Sequence, residues 1–170
     1  MSGDVAQLNA LSREKALEAF KQCCSSLKWA RRMVEERPFE DIRELLLMAD
    51  HVWWSLEAQD WLEAFSAHPK IGEKKAAAEI SESSRWSEDE QAGARRAANE
   101  TLNALTKANH DYERRFGYIF IVCATGKSAE EMLALLQERL QNEPATELRI
   151  AAEEQRRITH LRLEKLLNNS

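Results

Sequence analysis

Glycine and proline are scarce in this chain, 5 and 3 residues in 170. A sheet protein needs a turn signal about every 8–12 residues, so the shortage points to few, long elements, which means helices. Cysteine is also sparse. Cys23, Cys24 and Cys123 form neither a disulfide framework nor a zinc spacing, and the expectation is a reducing, cytoplasmic setting. No apolar run approaches the roughly 20 residues of a membrane span. The N-terminal MSGDVAQLNAL has no basic region followed by an apolar one, so no signal peptide is expected. Lys and Arg never run beyond two or three together, and the net charge is −5 with a pI of about 5.5. Nucleic acid and anionic membrane are therefore not expected partners. The motifs H-E-x-x-H, G-x-G-x-x-G, G-x-S-x-G and the P-loop are absent. Gly126-Lys127-Ser128 ends like a phosphate loop but lacks the upstream glycine. No His/Asp/Glu cluster has metal-ligand spacing.

What is present is an ordinary globular composition, 44% hydrophobic and 31% charged, long enough to bury a core as one domain. Residues 1–11 read as a partly ordered lead-in. Ser12 caps a helix to about Ser25, with Leu17 and Phe20 inward. A short piece at 27–35 places Trp29 and Met33 four apart, and Arg37-Pro38-Phe39 breaks it. Asp41 caps a helix with Ile42, Leu45, Leu46, Ala49, Val52, Trp53 and Leu56 on one face, and His51 lies off that stripe. Residues 60–67 continue it or form a separate short helix. A loop at 71–85 follows. Ser87 and Glu90 make a capping box that opens the longest helix, to about Arg114. Residues 116–125, FGYIFIVCAT, have strand composition but no partner strand. They read as a buried extended or helical segment at the centre of an all-α core. Ser128 caps the next helix, with Met132, Leu135, Leu136 and Leu140 as its face. Thr146 caps the last, to about Leu167. The expectation is a single-domain, all-α helical bundle spanning residues 1–170.

Three residues invite a chemical reading, and each has a plain alternative. His68 ends the apolar pattern Trp61, Leu62, Phe65 and precedes Pro69, which disfavours the α conformation before it. An imidazole at a helix stop is well placed to face a cavity, or is simply a terminal residue. Glu90 is explained by its capping role alone. On the last helix, at about 100° per residue, Ala151, Ile158, Leu161 and Leu166 form a stripe. Arg162 falls inside it and His160 on the opposite, wet face. A guanidinium aimed at a core needs an anion. The alternatives are an ion pair with Glu154 or snorkelling to the surface.

Together these stretches resemble the OHCU decarboxylases of ureide metabolism, where OHCU is 2-oxo-4-hydroxy-4-carboxy-5-ureidoimidazoline. The resemblance is carried by Leu8-Asn9, Trp29, Arg37-Pro38-Phe39, His68-Pro69-x-Ile71-Gly72 and Ser87-x-x-Glu90-Gln91. It continues through Asn109, Tyr112, Phe116-Gly117-Tyr118-x-Phe120-Ile121, Gly126-Lys127-Ser128, Arg139-Leu140, Asn142, Glu147 and Ile158-x-x-Leu161-Arg162-Leu163. The resemblance is to the bacterial and plant branch. It implies an all-α fold, no metal or organic cofactor, and decarboxylation of OHCU to (S)-allantoin, the last step of urate oxidation. It maps catalytic roles onto His68, Glu90 and Arg162. Substrate contacts fall on Pro69, Ser87, Gln91 and the backbone of Ile119, Phe120, Ile121, Val122 and Cys123. The expected partner is a small ureidoimidazoline, and the resemblance, with surplus apolar residues at Trp53-Trp54, implies a homodimer.

Two rivals differ in class. A hydrolase acting on 5-hydroxyisourate would be β-rich with a YRGS-like tail, whereas this chain ends LEKLLNNS. A non-enzymatic helical ureide-binding or interaction module would show an exposed apolar face rather than an inward Arg.

Overall fold

The computed structural model describes residues 3–69 and 88–169, with side chains described for 5–69 and 95–169. Among the described residues there are eight helices and no strand. They are α1 (Gly3–Ala10), α2 (Arg13–Cys23), α3 (Leu27–Glu35), α4 (Ile42–Trp54), α5 (Ala58–Ser66), α6 (Glu88–Phe116), α7 (Ala129–Arg139) and α8 (Pro144–Asn168). The chain divides into two compact units, one of Met1–Ala67 with Ala152–Ser170 and one of His68–Ala151.

In the first unit the helix starts are set by local polar side chains. Ser12 accepts from Lys15 N at 3.3 Å, Ser26 from Trp29 N at 3.3 Å and Asp41 from Glu44 N at 2.9 Å. Each such cap is worth about 1 kcal/mol. Helix α5 is separate from α4 and starts with a Glu57–Asp60 capping box. Helix α3 packs against α2, α4 and α5. Its Trp29 and Met33 are fully buried, with Phe20 meeting Trp29 edge-on at 5.9 Å. Indole N–H groups tie the layers: Trp29 donates to Ala49 O at 3.1 Å, Trp53 to Ala152 O at 3.0 Å and Trp61 to Trp53 O at 3.0 Å. A buried indole usually finds such a partner.

The expected lead-in is instead helix α1, with Val5 and Leu8 buried. Side-chain bonds fasten it. Asn9 Nδ2 donates to Phe39 O at 2.8 Å, and Asn9 Oδ1 accepts from Phe39 N at 3.0 Å. Arg37 Nη1 donates to Leu8 O at 3.1 Å and Leu11 O at 2.8 Å. This gives Leu8-Asn9 and Arg37-Pro38-Phe39 one shared structural purpose.

Helix α8 departs from expectation twice. It begins at Pro144 rather than at a Thr146 cap, because proline suits the first helical turn, where its missing N–H is not needed. Its inward face in the first unit is Ala152, Gln155, Thr159, Leu163 and Leu167, spaced three or four apart. Ile158, Leu161 and Leu166 are only half-buried. Two polar residues occupy the core face because they satisfy each other. Gln155 Nε2 donates to Thr159 Oγ1 at 3.1 Å, and Thr159 Oγ1 donates to Gln155 O at 2.9 Å.

The second unit pairs α6 with α7 over a core that includes Leu105, Tyr112, Phe120, Val122, Met132 and Leu136. Gly117, at φ +83°, ends α6, its N–H returning to Glu113 O at 2.8 Å. That left-handed stop favours glycine. Ser128 caps α7, accepting from Glu131 N at 3.1 Å. Within the FGYIFIVCAT run only Phe120, Ile121, Val122 and Cys123 are buried, while Gly117 and Thr125 are exposed, and beyond the end of α6 at Phe116 the run is neither helix nor strand. The expected loop at 71–85 and the Ser87–Glu90 capping box lie outside the described residues or side chains.

Candidate functional site

In the first unit, the C-terminal turn of α2 and the last turns of α8 border an open depression of about 670 Å³. Lys21, Cys23, Ser25, Ala67, Arg162 and Lys165 are among its lining residues. Three of these are cations and none of the lining residues is acidic, so the depression favours an anionic ligand. Arg162 is half-buried in it. Among the described residues its hydrogen bonding is a single long contact, Nη1 to Cys23 O at 3.5 Å, although guanidinium carries five donors. The expected alternative partner is taken elsewhere, Glu154 Oε2 lying 3.3 Å from Arg157 Nη1.

Cys23 and Cys24 beside it are free, buried thiols. Burial pushes the Cys23 thiol up to about 12 against the opposing pull of Arg162, and burial likewise takes Cys24 to about 11. Both stay neutral thiols near neutral pH.

In the second unit the run 119–123 is held from below by a buried polar cluster. Glu147 is fully buried. Its Oε1 accepts from Tyr112 OH and from Arg139 Nε at 2.7 Å, with Arg139 Nη2 also 2.6 Å away. Its Oε2 accepts from Asn142 Nδ2 at 3.0 Å. Arg139 Nη1 donates to Ile121 O at 2.6 Å, and its guanidinium lies 4.5 Å from the Phe120 ring centroid. Burial, and then the bond to Glu147, raise the Tyr112 phenol far above its ordinary range, so it serves only as a neutral donor.

The predicted site residues fall as follows. His68 is half-buried two residues past α5, at the helix stop expected, and Pro69 is exposed. Ile119 is half-buried, while Phe120, Ile121, Val122 and Cys123 are buried. Glu90 and Gln91 belong to the first turn of α6, with side chains outside those described, and Ser87 lies outside the described residues. His68 and Arg162 belong to different units.

His160, expected on a wet face, is instead partly buried, with Nε2 2.6 Å from Asp50 Oδ1. Helix periodicity alone could not show it, because its partner is 110 positions away. Arg139 and Glu147 were given no role from sequence. The available signal was an Arg at the Met132/Leu136 spacing of an apolar face, opposite a Glu in the next helix's first turn.

Comparison with known proteins bears on the whole chain. The family model described as OHCU decarboxylase matches residues 9–164. The chain is 38% identical over 161 residues to the uric acid degradation bifunctional protein TTL of Arabidopsis thaliana, covering 94% of this chain and 49% of that protein. It thus spans about half the length of that relative. It is 31% identical over 172 residues to the 2-oxo-4-hydroxy-4-carboxy-5-ureidoimidazoline decarboxylase of Amia calva, covering 96% of this chain and 94% of that one. Among solved structures, an OHCU decarboxylase crystallised in the presence of (S)-allantoin superposes with a TM-score of 0.73 at 36% identity, over 93% of this chain and 99% of that one. An (S)-allantoin synthase shares the fold, with a TM-score of 0.71 at 18% identity over 95% of this chain and 53% of that one.

Proposed function

The chain belongs to the OHCU decarboxylase family, and from that premise we propose that it decarboxylates OHCU to (S)-allantoin, closing the oxidation of urate. The observation that carries this reading beyond family membership is Arg162. It is half-buried among other cations, with no carboxylate paired to it among the described residues. A guanidinium so placed is suited to a carboxylate or carbonyl edge, which it meets with a planar fork.

In the proposed reaction the C–CO2 bond breaks and its electron pair enters the adjacent imidazoline C=N, so the substrate supplies its own electron sink. A proton then adds to one face of the ring. His68, oriented by Glu90, holds the ring hydroxyl and moves the proton. Arg162 binds the substrate's anionic edge and balances charge. Pro69, Ser87, Gln91 and the backbone of residues 119–123 contact the ring and ureido group. The family match running from 9 to 164, through both units, supports reading residues 1–170 as one functional domain. Free, buried cysteines support a cytoplasmic setting. The exposed apolar side chains Ile42, Leu47, Trp54 and Leu62 support a homodimer.

The test is circular dichroism of the allantoin formed when OHCU is generated from urate in the protein's presence. Spontaneous decay gives racemate, so rapid growth of the (S) signal, lost in His68→Asn, is the expected result. Racemic product at the spontaneous rate would sink the assignment and leave ureide binding without catalysis.

A further inference from the structure

The run 119–123 presents an accounting problem. It is buried from Phe120 to Cys123 with Ile119 half-buried, it is neither helix nor strand, and buried peptide groups need partners. Two are supplied, both by cations. Arg139 Nη1 takes Ile121 O at 2.6 Å, and Lys127 Nζ takes Cys123 O at 2.8 Å. Among the described residues none bonds the peptide N–H or C=O of Ile119, Phe120 or Val122. Phe120 and Val122, two apart, pack into one core, the spacing of one face of an extended chain.

Stability alone does not account for Arg139. A buried Arg–Glu pair can often be exchanged for apolar residues at little cost. Apolar residues could not hold the Ile121 carbonyl. Glu147, with Tyr112 and Asn142 also bonded to it, fixes the guanidinium so that Nη1 has one direction to point.

We propose that Arg139 and Lys127 are positioning residues for the decarboxylation, clamping the carbonyls of Ile121 and Cys123 so that the unclaimed peptide groups of 119–123 face the ureido substrate in a fixed orientation. This rests on the reading that 119–123 lines the substrate site. The clamp acts through the backbone, and neither cation touches the substrate.

The experiment is steady-state kinetics with chiral analysis of the allantoin, on the full chain and on Arg139→Lys, Lys127→Met and Lys127→Arg, alongside thermal melting. Misplacing a reacting group by about 1 Å can cost on the order of 100-fold, and Arg139→Lys is expected to lose about that in kcat/KM. Lys127→Met, which keeps the apolar stem, is expected to lose about tenfold, the scale of one charged hydrogen bond. Its melting temperature is expected to fall by only a few degrees, with Lys127→Arg recovering most of the kinetic loss. If Arg139→Lys does not fold, Lys127→Met decides. Wild-type kinetics and enantiomeric excess in a folded Lys127→Met would overturn the clamp. A wild-type protein that yields only racemate would instead overturn the decarboxylase reading itself, so the two failures are separable.

Discussion

His160 Nε2 lies 2.6 Å from Asp50 Oδ1, joining α8 to α4 across 110 positions of sequence. Asp50 Oδ2 also receives Arg156 Nη1 at 3.3 Å. Arg156 in turn meets Glu153 through Nε at 3.0 Å and Nη2 at 2.7 Å. Asp50→Asn keeps the shape and removes the charge. With both partners about a quarter exposed, the expected loss is about 1 kcal/mol, with kcat unchanged. The urea midpoint and turnover of the variant check both halves.

The same cluster has a pH signature. The hydrogen bond from Arg156 holds the Glu153 carboxyl below its ordinary 4.5. A carboxyl depressed on folding contributes stability above its unfolded value and loses it as pH falls through the folded one. Glu153→Gln should therefore weaken the fold at about pH 7 and matter progressively less as the pH falls below the ordinary carboxylate range, as denaturation midpoints across that range would reveal.

Glu147 predicts a larger effect. Removing one partner of a buried pair leaves an uncompensated charge, at a cost of about 3–5 kcal/mol. Glu147→Leu should lose this much, while Glu147→Leu combined with Arg139→Met should recover a good part of it. A thermodynamic cycle built from denaturant titrations reads the coupling, and additive losses would contradict it.

The thiols give an alkaline counterpart. With Cys23 raised to about 12 and Cys24 to about 11 by burial, the folded state favours the neutral thiol. Stability is full below the unfolded value of 9.0 and falls as pH rises toward the folded ones. At about pH 8 a thiol reagent should label the native chain slowly and the urea-unfolded chain quickly. Equal rates would show that the burial is transient.

Gly126 separates space from backbone. Its φ is +76°, and a Cβ built there meets nothing within 4 Å. Gly126→Ala should thus cost only the left-handed penalty, about 1–2 kcal/mol, and Gly126→Asn less. Melting temperatures of the two variants test the order.

Sequence alone placed most helices because their signals are local. Ser12, Asp41 and Ser128 are caps where their spacing says they are, and the missing turn residues excluded a sheet. It failed where a distant residue decides. α1 is held by Asn9 and Arg37 from opposite ends of a 28-residue separation, so nothing near Met1 announces it. The core face of α8 carries Gln155 and Thr159, polar residues that pair with each other, and this displaced the apolar stripe drawn from Ile158 and Leu161. Of the candidate site, the helix stop at His68 and the burial of 120–123 were legible. Arg162's lack of a carboxylate partner among the described residues was not, because Glu154 stood at a plausible spacing and only the three-dimensional arrangement gives it to Arg157.

The aromatic residues are partitioned in a way that makes the protein its own optical instrument. Four of the five tryptophans, Trp29, Trp53, Trp54 and Trp61, belong to the first unit, whereas Trp86 and both tyrosines, Tyr112 and Tyr118, belong to the second. Emission excited at the indole band therefore reports mainly on one unit, and the tyrosine fine structure of the near-ultraviolet spectrum on the other. Superimposed transitions from the two chromophores would mean that the units melt as one cooperative body. Separated transitions would give each unit its own stability, measurable without a label.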